Sequence, residues 1–145
     1  MTTFAEIKEA FERDAVQVVL SDHHYWGGLR NTLQLAAICR TFEVGVSMHS
    51  NTHLGISLAA MTHVASTVPD LHHACDSHYP WQSEDVLAER LTFEDGRVRV
   101  SDAPGLGVDS TGPSRRSCIS GGWTTTVHCG SGTMRRRCGS RSRGG

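Results

Sequence analysis

Apolar positions alternate along the chain between two periods, one helical and one short and β-branched. Phe4, Ile7 and Phe11 recur at helical spacing, which predicts a helix over residues 4–14. Thr3 and Glu6 stand at capping-box spacing at its start. The run Val16–Leu20 then reads as a buried strand that ends at Ser21-Asp22. Leu29, Leu33, Ala36, Ala37 and Arg40 give a mostly apolar stripe for a second helix over 30–42. A second strand follows over 44–48 and ends at His49-Ser50-Asn51. A third helix over 54–67 places Leu54, Leu58, Met61, Ala65 and Val68 on one side, and Pro69 stops it. A weaker strand over 72–76 ends at Ser77-His78.

Asp22, His49 and Asp76 are spaced by 27 residues and again by 27, each at the predicted C-terminal end of a strand. Strands that alternate with helices through short loops lie parallel. The fold class expected is therefore α/β, with polar residues gathered where such folds place their sites. A doubly wound sheet remains an alternative, but Gly27-Gly28 is too short to be its phosphate-binding fingerprint. A (β/α)₈ barrel needs eight units and roughly 200–250 residues, whereas three strands are read here. Beyond the third strand, Asp95-Gly96 predicts a type I′ turn, with Leu91, Phe93, Val98 and Val100 alternating on the arms of a hairpin.

Charge divides the chain. All fifteen acidic residues and seven basic ones lie in residues 1–109, while residues 110–145 hold seven arginines and no acid. Gly, Ser and Arg make up 22 of those last 36 residues, a composition that cannot bury enough surface to offset its ordering entropy. The expectation is one folded domain, 1–109, and a disordered tail, 110–145. The tail resembles a nucleic-acid-binding segment superficially, and resembles an out-of-frame continuation of a GC-rich gene more closely. No run of 18 apolar residues exists and Met1-Thr2-Thr3-Phe4 does not begin a signal peptide, so the expectation is a cytoplasmic protein with no membrane partner. Five cysteines, Cys118, Cys129 and Cys138 among them, match no zinc module and no disulfide framework. Cys39 and Cys75 read as small packing hydrophobes.

Neighbouring parallel strands lie about 4.8 Å apart, so side chains at their ends can meet. A carboxylate on one imidazole nitrogen fixes the tautomer and raises the basicity of the other nitrogen. Asp22 and His49 are on that argument a candidate orienter and general base. The plainer alternative is that both cap local structure. His23 and His24 are expected to line the site mouth. His53 and His63 fall on the predicted third helix as polar-face or packing residues, and His72 and His73 at the opposite, stability end.

Four motifs in order, Ser21-Asp-His-His-Tyr-Trp26, Met48-His-Ser-Asn-Thr-His-Leu-Gly-Ile-Ser-Leu58, Asp76-Ser-His-Tyr-Pro-Trp-Gln82 and Pro104-Gly-Leu-Gly-Val108, resemble the glucarate dehydratase family of the enolase superfamily. The resemblance covers roughly residues 3–109. It implies the C-terminal portion, about three βα units, of a (β/α)₈ TIM-type barrel. It implies an aldarate substrate that loses its α-proton and then water, with Mg²⁺ as the family's metal. Asp22 and His49 match the family's base dyad, and His49, Asn51, Asp76 and His78 its substrate contacts. The family's second base, a lysine, has no counterpart, since Lys8 in the first helix is the sole lysine. Its metal ligands lie on strands not found here, which implies a truncated product without activity of its own. A catalytically dead remnant and nucleic-acid binding through the tail are the competing readings.

Overall fold

In a computed structural model, residues 1–69 and 73–110 are described, together with the backbone of 127–129 and 132–134. Helix α1, Phe4–Glu12, begins at Thr3, whose hydroxyl accepts from Glu6 N at 3.3 Å while the Glu6 carboxylate accepts from Thr3 N at 3.1 Å. The capping box read from the sequence is thus complete. Strand β1, Val18–Ser21, leads to α2, Leu29–Thr41, then β2, Gly45–Ser50, and α3, Gly55–Thr67. Strand β3 is Asp76–Ser77 and runs into a 3₁₀ turn, Tyr79–Trp81. Neither α1 nor α2 ends on glycine: Asp14 and Glu43 take φ of 50° and 56° just beyond them.

The strands are parallel in the order β1-β2-β3, so β2 is central. Val18 pairs with Gly45 and Ser21 with Met48, then His49 with Asp76 and Ser50 with Ser77. Every one of these partners is 27 residues on, so the sequence repeat is an unshifted register between successive strands. Side chains alternate across a strand. One face sends Val19, Val46 and Met48 against α2 and α3, where Leu35, Cys39, Leu58, Met61 and Val64 complete the core. The other face carries Val18, Leu20 and Ser47 and leads to Asp22, His49 and Asp76. Val18 and Leu20 are 40% and 54% exposed there.

Three expectations need correction. The third strand is two residues long rather than five, and the Ala74 carbonyl before it is met by the Ser47 hydroxyl at 2.8 Å. His72, where that expected strand begins, lies outside the described residues. The Asp95-Gly96 turn forms, with φ of 48° and 72° and reciprocal Glu94–Arg97 bonds of 2.9 Å, but its arms pair no further. Leu91 N donates to Tyr79 Oη at 3.2 Å, and the Phe93 ring lies 6.2 Å from that of Tyr79. Finally, Cys39 is buried as expected, whereas Cys75 is exposed.

Ala88 N donates to the Asp109 carbonyl at 2.8 Å, and Leu87 bridges Ser110, so ordered packing reaches the end of the acidic part. His63 donates from Nε2 to the Leu106 carbonyl at 3.2 Å and ties the Pro-Gly-Leu-Gly segment to α3. In the tail, β4, Val127–Cys129, and β5, Gly132–Met134, pair antiparallel. The expectation of disorder covers all of 110–145; these paired strands depart from it, and the rest of 111–145 lies outside the described residues. Among the described residues no helix is long and apolar enough to cross a membrane.

Candidate active site

The open ends of the parallel strands gather two groups of polar side chains. The first is centred on His49, at the end of β2. Its Nδ1 lies 2.6 Å from Asp76 Oδ1, and the same oxygen accepts from Ser50 N at 3.4 Å. With Nδ1–H donating to the carboxylate, the lone pair stays on Nε2. The His78 ring stands edge-on to His49 with centroids 6.1 Å apart, and Trp81, 80% exposed, stacks on His78 at 5.1 Å.

The second group surrounds Asp22, which the turn after β1 buries to 5% exposure. Asp22 Oδ1 accepts from His24 N at 2.9 Å and lies 3.1 Å from His24 Nδ1 and 3.2 Å from His53 Nε2. Burial pushes this carboxyl up, but the His24 amide and the neighbouring imidazoles of His53 and His24 outweigh it, holding Asp22 below the usual carboxylate range. Desolvation, helped by His24 and His53, pushes His23 down to about 4 against the opposing pull of Asp22. His53 is also lowered by burial. A cavity of about 330 Å³ opens beside this group, lined by Asp22, His24, Asn51 and His53 among others.

Asp22 and His49 therefore stand on adjacent strand ends, as the repeat predicts, but no hydrogen bond joins them among the described residues. The carboxylate that bonds His49 is that of Asp76. His49 has a carboxylate on each flank and bonds the one on β3, while Asp22 Oδ1 faces the His24 amide and the imidazoles of His24 and His53. Asn51 shares a cavity with Asp22; Asp76 and His78 share a surface with His49. Two further residues escaped the sequence reading. His53 precedes α3 rather than lying on it, because the helix starts at Gly55, and it is 5% exposed. His24 was placed only at the mouth, yet it bridges Asp22, His53 and, through Nε2 at 3.2 Å, Ser57 Oγ. The concentration of histidines in the two loops after β1 and β2 was the available signal. Trp26 is buried edge-to-face against Phe4 at 5.4 Å and packs rather than reacts.

A parallel βα array with its polar groups at the C-terminal strand ends matches the family model "Enolase C-terminal domain-like" over residues 1–113. The chain belongs to that family. It is 86% identical over 108 residues to a protein of Streptomyces coelicolor named probable glucarate dehydratase, covering 74% of this chain and 25% of that one. A chloromuconate cycloisomerase of Pseudomonas putida is 37% identical over 86 residues, 57% of this chain and 23% of the relative. The chain thus spans about a quarter of the length of these curated relatives. Among solved structures, an enolase from Mycobacterium smegmatis complexed with formate and acetate superposes with a TM-score of 0.80 at 51% identity, over 83% of this chain and 29% of that one. An enolase from Pseudomonas fluorescens with bound magnesium, potassium and tartrate gives 0.76 at 53% identity, over 79% and 27%. The three strands and their helices correspond to part of the barrel of such enzymes.

Magnesium takes oxygen donors in near-octahedral array. Among the described residues, the group of ligating atoms that converges within 4.8 Å is that of Asp22, His23, His24 and His53, three imidazoles and a single carboxylate. That donor set does not fit Mg²⁺.

Proposed function

We propose that these residues form the proton-abstracting part of an acid-sugar dehydratase of the glucarate type. His49 is the base. Its Nε2 removes the proton α to a substrate carboxylate, leaving the electron pair in an enediolate. Collapse of that pair expels the β-hydroxyl, which departs as water on gaining a proton, and a 5-dehydro-4-deoxy aldarate results. Asp76 holds the His49 tautomer, and Asp22 flanks the imidazole on the other side. Asn51 and His78 would contact the hydroxyls and the distal carboxylate of an aldarate.

The observation that carries this reading is the 2.6 Å contact of His49 Nδ1 with Asp76 at the open strand ends, which leaves the other ring nitrogen available as a base. The 86% identity to the Streptomyces coelicolor protein supports the substrate class. A chain of these 145 residues alone is expected to give no turnover, because general-base catalysis supplies only about 10²–10⁴-fold and preorganised charge at the developing anion supplies more.

The test replaces the matching quarter of that Streptomyces relative with residues 1–109 of this chain. The graft should dehydrate D-glucarate to the keto acid, and His49→Ala should slow product formation by about 10²–10⁴-fold. A folded graft without activity, or one indifferent to His49→Ala, would remove the proposal.

A further inference from the structure

We propose that Asp22, His24 and His53, with His23 beside them, form a binding site for a borderline divalent transition ion of the zinc class, separate from any magnesium chemistry of the family. The geometry comes first. Asp22 Oδ1, His24 Nδ1 and His53 Nε2 form a triangle with edges of 3.1, 3.2 and 2.7 Å. Tetrahedral ligands about 2.0 Å from an ion stand roughly 3.3 Å from one another, so the three atoms are gathered slightly more tightly than a zinc ion would hold them.

Protons alone cannot satisfy that triangle. An ionised carboxylate brings none, and each neutral ring nitrogen brings at most one, directed along a single edge. If both nitrogens are protonated, both can donate to Asp22, but their N–H groups then oppose one another across the 2.7 Å edge. If one is protonated, a lone pair faces Asp22 or the other nitrogen. Every assignment leaves one edge unbonded or repulsive in a site where Asp22 and His53 are each 5% exposed. A cation at the centre meets all three lone pairs at once.

The surroundings favour such an ion. His24 Nε2 lies 3.2 Å from Ser57 Oγ, so Nε2–H can donate outward while Nδ1 presents its lone pair inward, the arrangement that metal-bound imidazoles usually have. His23 is 8% exposed, its Nδ1 lacks any hydrogen-bond partner, and its ligating atom lies within 4.8 Å of the other three. The adjoining cavity and the half-exposed His24 ring leave a path for entry. Three imidazoles and one carboxylate suit Zn²⁺, Co²⁺, Ni²⁺ or Cu²⁺ and not Mg²⁺ or Ca²⁺.

The site is tested on the full chain, stripped with chelator and titrated with Zn²⁺ against a chromophoric competitor, then with Co²⁺ by visible absorption. One ion per chain is expected, with intense tetrahedral Co²⁺ bands and a Zn²⁺-dependent rise in Tm. His24→Ala, at a half-exposed position that leaves the core untouched, should weaken binding at least tenfold, and so should His53→Ala. Replacing Cys118, Cys129 and Cys138 by serine should change nothing. Absence of binding, binding that survives His24→Ala, binding lost with the cysteines, or equal affinity for Mg²⁺ would each overturn the proposal. None of these readouts depends on catalysis, so the site stands or falls apart from the dehydratase reading.

Discussion

His49 and Asp76 are register partners on neighbouring parallel strands, and the imidazole Nδ1 lies 2.6 Å from the carboxylate. The pairing is a direct product of the 27-residue repeat, which brings a residue of each strand level with its counterpart on the next. A base at this place needs its tautomer fixed, and the contact fixes it.

The tautomer is measurable. Long-range ¹H–¹⁵N spectra of the folded chain should show His49 protonated at Nδ1 in its neutral form. Asp76→Ala should give a mixture of both tautomers, while Asp22→Asn should leave the His49 pattern as it is. A pattern that follows Asp22 instead would restore the pairing of those two residues.

Core and open face should respond differently to truncation. Leu58 is 1% exposed between α3 and the sheet, so Leu58→Ala should cost about 2–5 kcal/mol. Leu20, 54% exposed on the other face, should cost within about 0.5 kcal/mol when changed to Ala. Urea unfolding of the 145-residue chain reads both, and a large loss at Leu20 would mean that something covers that face.

Cys39 sets an alkaline limit. Burial pushes its thiol from the usual 9.0 up to about 11, so between these values the folded chain keeps a proton that the unfolded chain releases. The Cys39 contribution to stability is therefore flat below pH 9 and falls as pH rises to 11, by up to roughly 3 kcal/mol for a shift of this size. Cys39→Ala should flatten that fall in denaturation curves taken across the range. In the native state at neutral pH, iodoacetamide should modify exposed Cys75 well before buried Cys39. Equal rates would contradict the burial of Cys39.

Helix ends offer a further check. Glu43 holds φ at 56° after α2, a conformation that costs an L-residue roughly 1 kcal/mol and glycine little. Glu43→Gly should raise the midpoint of thermal unfolding slightly, and a clear loss would show that the Glu43 side chain contributes more than its backbone costs.

Much of this fold was legible because the two periods of apolar residues are distinct. The helix ends at Thr3 and Pro69, the strand run at Val46 and the Asp95-Gly96 turn each announce themselves locally. The site was less legible. Spacing places Asp22, His49 and Asp76 in one row but leaves open which carboxylate a central histidine bonds, since that depends on what else claims each carboxylate. Asp22 is claimed by His24 and His53, and the latter was assigned to a helix that starts two residues later. The hairpin arms pair only at Glu94 and Arg97, and the Leu91 amide meets Tyr79, which the local alternation does not announce.

The claim that His49 is the base is tested most directly by hydron exchange at the substrate α-carbon. The graft of residues 1–109 into the Streptomyces relative is incubated with D-glucarate in D₂O and followed by ¹H NMR, alongside its His49→Ala form. The account predicts that exchange and dehydration at that carbon fall together by about 10²–10⁴-fold in His49→Ala. Unchanged α-proton exchange in the folded His49→Ala graft would contradict it.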